Sequence, residues 1–331
     1  MKSHLLARCA LISLFAVTAT THTTASANTY INLSPADSAV YLNGHGQMTD
    51  LTLTPSNAAG WTQYSEFLGA GERFVWTSAS SEAVYLFNDS RSVAEKLVNF
   101  ADPVGTNYSF NLGTCTKGGK LAQKGLSMNT AVGTFNNVMR MTFTNTCADG
   151  GTLEAWFAPQ VGVIKWSNQT LLGPVNQELA GGKMGGKMFG ITALQSAMKL
   201  TPSFSASRVV MNGTAKQATA NIQVANNGTQ DMVLHFASGQ EFEISLIDSA
   251  NQVVNTWGAR VRFLQGAHDV VIGAGKSQGF GGVLALQNLN GNALAAGQYT
   301  LRVELKSSTV ASNGVSMPTA VRFDSLMTLV R

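Results

Sequence analysis

Phe236-Ala-Ser-Gly-Gln-Glu-Phe-Glu-Ile-Ser-Leu-Ile-Asp248 carries the reading of the fold. Phe242, Ile244 and Leu246 occupy alternate positions, with Glu243 and Ser245 between them, and alternate residues of an extended chain share one face. Ser238-Gly-Gln240 before this run and Asp248-Ser-Ala-Asn251 after it are turn residues, so the stretch reads as a half-buried strand between two reversals. The pattern continues on both sides. Ala218-Thr-Ala-Asn-Ile-Gln-Val224, Met232-Val-Leu-His-Phe236, Gln298-Tyr-Thr-Leu-Arg-Val-Glu-Leu305 and residues 320–330 are strands of the same kind. Seven or so strands in about 140 residues predict an immunoglobulin-like β-sandwich over residues 191–331.

Residues 28–180 alternate in the same way. Asp50-Leu-Thr-Leu-Thr54, Arg73-Phe-Val-Trp-Thr77, Ala83-Val-Tyr-Leu-Phe87, Tyr108-Ser-Phe-Asn111, Val138-Met-Arg-Met-Thr-Phe-Thr144 and Leu153-Glu-Ala-Trp-Phe157 predict an antiparallel β domain. Only residues 92–100 and 194–200 hint at helix. Between the two halves, Gly181-Gly-Lys-Met-Gly-Gly-Lys-Met-Phe-Gly190 shows no strand pattern and reads as a glycine-rich linker, with strands resuming at Ile191. It also contains Gly181-x4-Gly186-Lys187, the opening of a phosphate-binding loop, but Met188 stands where that loop needs a magnesium-ligating hydroxyl.

Charged residues make up 12% of the 331, about half the usual share, while Gly reaches 33. Coiled coil and disorder are thereby excluded. The formal charge is +4, and Lys2 and Arg8 account for two of it, so residues 28–331 carry 4 − 2 = +2, too little for an electrostatic nucleic-acid binder. Lys2 and Arg8 open a signal-peptide pattern, continued by the apolar Cys9-Ala-Leu-Ile-Ser-Leu-Phe-Ala-Val17 and the small residues Ala25-Ser-Ala27. Cleavage is expected after Ala27, with a secreted or periplasmic product. The apolar run ends at Thr18, short of the roughly 18 to 20 residues that span a bilayer, so no membrane span is expected. Cys115 and Cys147 then remain, each beside a strand-like run and a glycine turn, and export predicts their disulfide. Closing that loop of roughly 33 residues contributes about 3.5 kcal/mol by chain entropy. A redox or metal thiol pair would need a C-x-x-C spacing or nearby histidines.

Catalytic patterns are sparse. His235 lies within an alternating strand, His45 in the turn Asn43-Gly-His-Gly46, and His268 beside Asp269, where adjacent strand residues point to opposite faces and form no dyad. No G-x-S-x-G, H-E-x-x-H or calcium-loop pattern occurs, so neither cofactor nor metal is expected and the chain does not read as an enzyme. Two converging carboxylates among the eighteen acidic residues stay open as a hydrolase alternative. Trp156, Phe157 and Trp166 read as core, since a carbohydrate or peptide platform needs several aromatics on one exposed face.

Residues 236–248 also resemble the intracellular proteinase inhibitor (BsuPI-type) domain, with Phe236, the Ser238-Gly239-Gln240 turn, the aromatic-x-hydrophobic strand from Phe242 and the Asp248 turn. Trp257 matches the second tryptophan of the family's Trp-Arg-Trp stretch, Phe263-Leu-Gln265 its Phe-x-Gln, Gly297-Gln-Tyr299 its Gly-x-Tyr strand, and Val224-Ala-Asn-Asn-Gly228 the strand end before the motif. Asn255 and Thr256 depart from the family's Trp and Arg, and Phe242 from its common tyrosine. The likeness covers residues 192–331 and implies a protein partner, a serine protease. Such an inhibitor needs an exposed loop that enters the protease cleft. The candidate is Trp257-Gly-Ala-Arg-Val-Arg-Phe263, with Arg260 or Arg262 for a trypsin-like pocket; the same residues read more plainly as a loop and an edge strand with solvated arginines. In the first half, Gly133-Thr-Phe-Asn-Asn-Val-Met-Arg-Met141, Glu154-Ala-Trp-Phe-Ala-Pro-Gln-Val-Gly162 and Gln169-Thr-Leu-Leu-Gly-Pro174 are similar to a group of exported bacterial β proteins. That likeness implies a curved antiparallel sheet and no chemistry. The expectation is an exported, non-catalytic binding protein acting on an envelope or extracellular protease or on an envelope component, with a structural or adhesive envelope role as the alternative.

Overall fold

The computed structural model describes residues 29–31, 34–56, 60–78, 81–88, 91–205, 207–211 and 216–330. The signal-peptide reading of residues 1–27 lies outside the described residues. The chain is all-β, 62% strand and 4% helix, with a curved antiparallel sheet first and the sheets of a sandwich after it.

Among the described residues, the first half forms a 13-stranded sheet. Its order runs backward from Val93–Asn99 through Ala83–Asn88, Arg73–Thr77, Trp61–Tyr64 and Met48–Pro55 to Ser38–Asn43. It then continues through Gly173–Met184, Gly162–Thr170, Thr152–Ala158, Gly133–Asn145 and Thr116–Thr130 to Asn107–Ser109. The two end strands, Val93–Asn99 and Asn107–Ser109, are therefore consecutive in the chain, and the sheet curls until it is nearly closed. Curling follows from burial: Leu53, Val75, Leu86, Leu97, Leu121, Met141, Phe157 and Ile164 all lie on the inner face of their strands in one apolar cluster. At the seam the Tyr108 hydroxyl donates to the Asn99 carbonyl at 3.1 Å and to Asp102 Oδ2 at 2.9 Å. Burial, with Asp102 adding to it, pushes its pKa up to about 12.

Cys115 and Cys147 are disulfide-bonded with their Cα atoms 5.1 Å apart. Cys115 leads into the strand Thr116–Thr130 and Cys147 follows its neighbour Gly133–Asn145, so they meet at one end of an antiparallel pair. The glycines after Cys115 form no turn. Gly118 and Gly119 sit inside the strand, where a Cβ would lie 2.7 Å from the Tyr108 carbonyl and 2.9 Å from the Thr142 carbonyl. Their lack of a side chain serves close backbone approach.

Two other expectations are corrected. Val93–Asn99 is a strand, because pairing with Ala83–Asn88 and burial of Leu97 and Val98 override the helix-forming Ala94-Glu-Lys-Leu97. The segment 181–190 is not free of strand structure: Gly182, Lys183 and Met184 pair with Phe189, Met188 and Lys187 around the turn Gly185-Gly186, both with positive φ. The helix Gly190–Ala197 follows at once, where a resumed strand was expected, and buries Ile191 and Leu194.

Ile191 and Leu194 belong to the second apolar cluster, which also holds Ile222, Phe236, Ile244, Phe280, Leu301 and Val303. Around it the first sheet runs Met198–Phe204, Gln217–Asn226 and Ser277–Ala285. The second runs Arg208–Val210, Val321–Val330, Gly297–Leu305, Phe242–Asp248 and Val253–Thr256. The third runs His268–Ile272, Met232–Phe236, Ser307–Ser312 and Val315–Pro318. Alternation in each strand supplies the inward side chains, as in Gly297–Leu305, where Tyr299, Leu301, Val303 and Leu305 are buried.

Candidate functional site

Val253–Thr256 is the outer strand of one sheet and His268–Ile272 the outer strand of another. The chain between them must cross the open side of the sandwich. It does so as a single 3-10 turn, Gly258–Arg260, followed by residues 261–267 with no regular hydrogen-bonded structure. Among the described residues neither flanking strand has a strand partner on its outer side. Arg262 is exposed and Leu264 is 82% exposed.

The motif residues hold this crossing in place. The Gly239 N–H donates to the Leu264 carbonyl at 2.8 Å, and a Cβ on Gly239 would lie 3.1 Å from Leu264 N and 3.2 Å from its O. Glycine permits that approach. Gln240 donates from Nε2 to Glu243 Oε2 at 2.8 Å, and Glu243 Oε1 accepts the Gly258 N–H at 2.9 Å, so one carboxylate links the Ser-Gly-Gln turn to the start of the crossing. The Ser238 hydroxyl accepts the Gln240 N–H at 3.3 Å. Trp257 packs its ring between Phe242, at 4.3 Å between centroids, and Phe263, at 5.7 Å, while its backbone N–H donates to the Ile244 carbonyl at 2.8 Å. Such ring pairs are worth about 0.5 to 1.5 kcal/mol each beyond area burial.

The remaining motif residues act further away. Phe236 is fully buried and stacks on His268 at 5.3 Å. Asp248 Oδ1 accepts the N–H groups of Ala250 and Gln252, each at 2.9 Å, which closes the hairpin to Val253–Thr256. Tyr299 donates to the Ala295 carbonyl at 3.1 Å, and its pKa is raised by burial foremost. Gln265 is exposed on the crossing itself. Asn255, where the family has Trp, is fully buried and donates to the Ala285 carbonyl at 2.8 Å, so an amide caps the neighbouring edge strand.

The two arginines separate. Arg260 folds back, donating from Nη2 to the Asn288 carbonyl at 3.3 Å, and the Gln287 amide, turned to face it, accepts from the same guanidinium. Beside it lies a groove of about 430 Å³ lined by Trp257, Val261, Val283 and Ala285. The residue that composition did not single out is Leu264, the exposed centre of Phe263-Leu-Gln265. Val261 and Phe263 beside it are also apolar, so no contrast along the loop marked it.

The histidines form two separate pairs. His235 Nδ1 meets Asp269 Oδ1 at 2.6 Å on an exposed sheet face, and His268 Nε2 meets Glu241 Oε1 at 3.1 Å. Adjacent strand residues thus do take different partners. Phe157 and Trp166 are core, and Trp156 is half-buried and packs against the same cluster, with Arg140 at 5.7 Å and Lys165 at 5.3 Å from its ring. A larger cleft of about 610 Å³ lies between the hairpin tip at residues 130–133, the helix and residues 312–315, and no charged residue lines it. Among the described residues no group of three or more His, Cys, Asp or Glu is placed to hold a metal, and no helix is long and apolar enough to cross a membrane.

Residues 206–310 match the family model described as intracellular proteinase inhibitor, BsuPI. No curated protein matches the chain. Among solved structures it is similar to the protein described as ApaA from Bordetella pertussis, at 12% identity over 40% of this chain and 96% of that one, with a TM-score of 0.25. A β-glucosidase from Erythrobacter marinus is 14% identical over 40% of this chain and 16% of its own, with a TM-score of 0.23. Dimeric latent PorU from Porphyromonas gingivalis is 10% identical over 89% of this chain and 29% of its own, with a TM-score of 0.20. Likeness at this level carries no activity across.

Proposed function

We propose that the matched region inhibits a proteinase, a serine protease, by binding it without catalysis, and that residues 261–267 enter the protease cleft. The observation that carries this reading is the anchoring of an exposed crossing by the residues of the family motif: Gly239 on Leu264, the Gln240–Glu243–Gly258 relay, and Trp257 against Phe263. An inhibitory loop gains affinity by being ordered before it binds, since less conformational entropy is lost on association. Arg262 and Leu264 are the side chains free to fill a specificity pocket, whereas Arg260 is engaged with residues 287 and 288. The apolar segment after Arg8 and the bridged cysteines support export, which sets the target among envelope or extracellular proteases.

Titration of the full chain against trypsin-like and subtilisin-like proteases tests the proposal. Inhibition is expected in the micromolar range or tighter, reduced at least tenfold by Arg262→Ala or Leu264→Ala and little changed by Arg260→Ala. Absence of inhibition across the panel would end it. An undiminished inhibitor carrying both Arg262→Ala and Leu264→Ala would remove the crossing from the contact.

A further inference from the structure

The curled sheet of the first half carries aromatic residues on its outer face, where alternation leads one to expect polar ones. In Trp61–Tyr64, Arg73–Thr77 and Ala83–Asn88 the buried positions are Tyr64, Val75, Val84 and Leu86. The positions between them are Trp61, Phe74, Trp76, Tyr85 and Phe87, all half-buried and none packed against the inner cluster. Register aligns them: Trp61 is opposite Trp76, Trp76 opposite Tyr85, and Tyr85 opposite Lys96. The result is one row across four neighbouring strands, about 14 Å long at a strand spacing of about 4.8 Å. Ring centroids are 6.5 Å apart for Trp61 and Trp76, 4.9 Å for Trp76 and Tyr85, and 5.6 Å for Trp61 and Phe87, and the Lys96 ammonium lies 6.0 Å from the Tyr85 ring.

The polar edges of this row are unused. Among the described residues, neither indole N–H, nor the Tyr85 hydroxyl, nor the Lys96 ammonium has a hydrogen-bond partner. Of the outward positions beside the row, Phe74 and Phe87 are apolar, while Gln63 accepts from the Thr54 hydroxyl at 3.2 Å. Trp156 shows the contrast on the same sheet, since its ring lies between two cations. A protein hot spot is ringed by groups that exclude water. Here successive flat rings carry the indole N–H groups and the phenol hydroxyl at their own edges, a surface suited to sugars, whose C–H faces stack on aromatics while their hydroxyls bond at the edges. The row ends on the positive Lys96, which selects a negative substituent.

We infer that this row is a binding platform for an acidic polysaccharide, its sugar rings over Trp61, Trp76 and Tyr85 and a carboxylate against Lys96. The inference is independent of the inhibitor reading, because the row lies in the other half of the chain. Affinity electrophoresis of the full chain in gels containing polygalacturonate, alginate or neutral hydroxyethylcellulose tests it, with tryptophan fluorescence as the second readout. Retardation is expected in the acidic gels, weakened at least tenfold by Trp76→Ala and by Trp61→Ala, partly kept by Trp76→Phe, and made insensitive to salt by Lys96→Gln. Trp156→Ala should bind as the parent does. A matching urea midpoint shows that each variant is folded; where Trp76→Ala is not, Trp61→Ala and Lys96→Gln decide. No retardation by either acidic polymer overturns the inference, as does binding undiminished by the folded Trp variants. Equal retention by the neutral gel, untouched by Lys96→Gln, refutes the acidic ligand, and a protein partner lost with Trp76→Ala in the absence of polymer binding gives the row to that protein instead.

Discussion

Glu243→Ala isolates what the motif does for the crossing. The carboxylate accepts three hydrogen bonds, from Gly258 N–H at 2.9 Å, Gln240 Nε2 at 2.8 Å and its neighbour Ile244 N–H at 2.9 Å. Two of these reach outside its own strand. Hydrogen bonds to a charged acceptor contribute about 1.5 to 3 kcal/mol each, and Glu243 is half-buried, so the low end applies and one of the two alone accounts for about 1.5 kcal/mol. Strand Phe242–Asp248 stays held by Gly297–Leu305 on one side and Val253–Thr256 on the other. The loss should therefore appear as local opening of the crossing and not as global unfolding. Hydrogen exchange is expected to accelerate at Gly258 and through residues 261–267 by about tenfold, the equivalent of about 1.4 kcal/mol, with the strand amides unchanged. Tryptic cleavage at Arg260 and Arg262 should rise in parallel. Unchanged exchange at Gly258, or an equal rise across the whole sandwich, would refute the reasoning that this carboxylate clamps the loop.

Gly190→Ala tests whether the glycine-rich segment is a tether or a packed hairpin: Gly190 has φ +59°, and a Cβ there would meet the Ala180 carbonyl and Gly181 Cα, which are backbone. A loss on the order of 2 to 4 kcal/mol by urea denaturation is expected, whereas a slack tether would tolerate the change. Cys115→Ser with Cys147→Ser should lower stability by up to about 3.5 kcal/mol, read as a shifted urea midpoint against the oxidised parent. The Tyr108 hydroxyl has its pKa raised from 10.0 to about 12, so the stability it contributes is full below pH 10 and is lost as pH climbs through about 12. Tyr108→Phe, compared with the parent by alkaline titration of the unfolding midpoint, should remove that component of the pH dependence.

Strand identity was legible because its cause is local. Met232–Phe236 and Arg73–Thr77 appear with the bounds that alternation and turn residues gave them, and Phe242–Asp248 within one residue. Local signals failed where a neighbour decided. Val93–Asn99 has helix-forming residues and became a strand because the sheet needed its end closed, and Gly181-Gly182 reads as slack but pairs because only glycine lets Ser38 and Ile191 come so near. The motif around Gly239 and Gln240 could be quoted from sequence, yet its target, Leu264, lies beyond two strands, the hairpin turn between them and a 3-10 turn.

From the chain alone came the all-β class, the disulfide pair, the scarcity of catalytic chemistry and the likeness to a proteinase inhibitor, since composition, period-two alternation and spacing are properties of the order of residues. Tertiary structure decided which face each alternating position meets. Trp61, Trp76 and Tyr85 lie on separate strands and form a row only through register, and Arg260 and Arg262, two residues apart, differ because one finds the carbonyl of Asn288. Register and cross-chain partners depend on closing loops between distant segments, and no window along the sequence contains them.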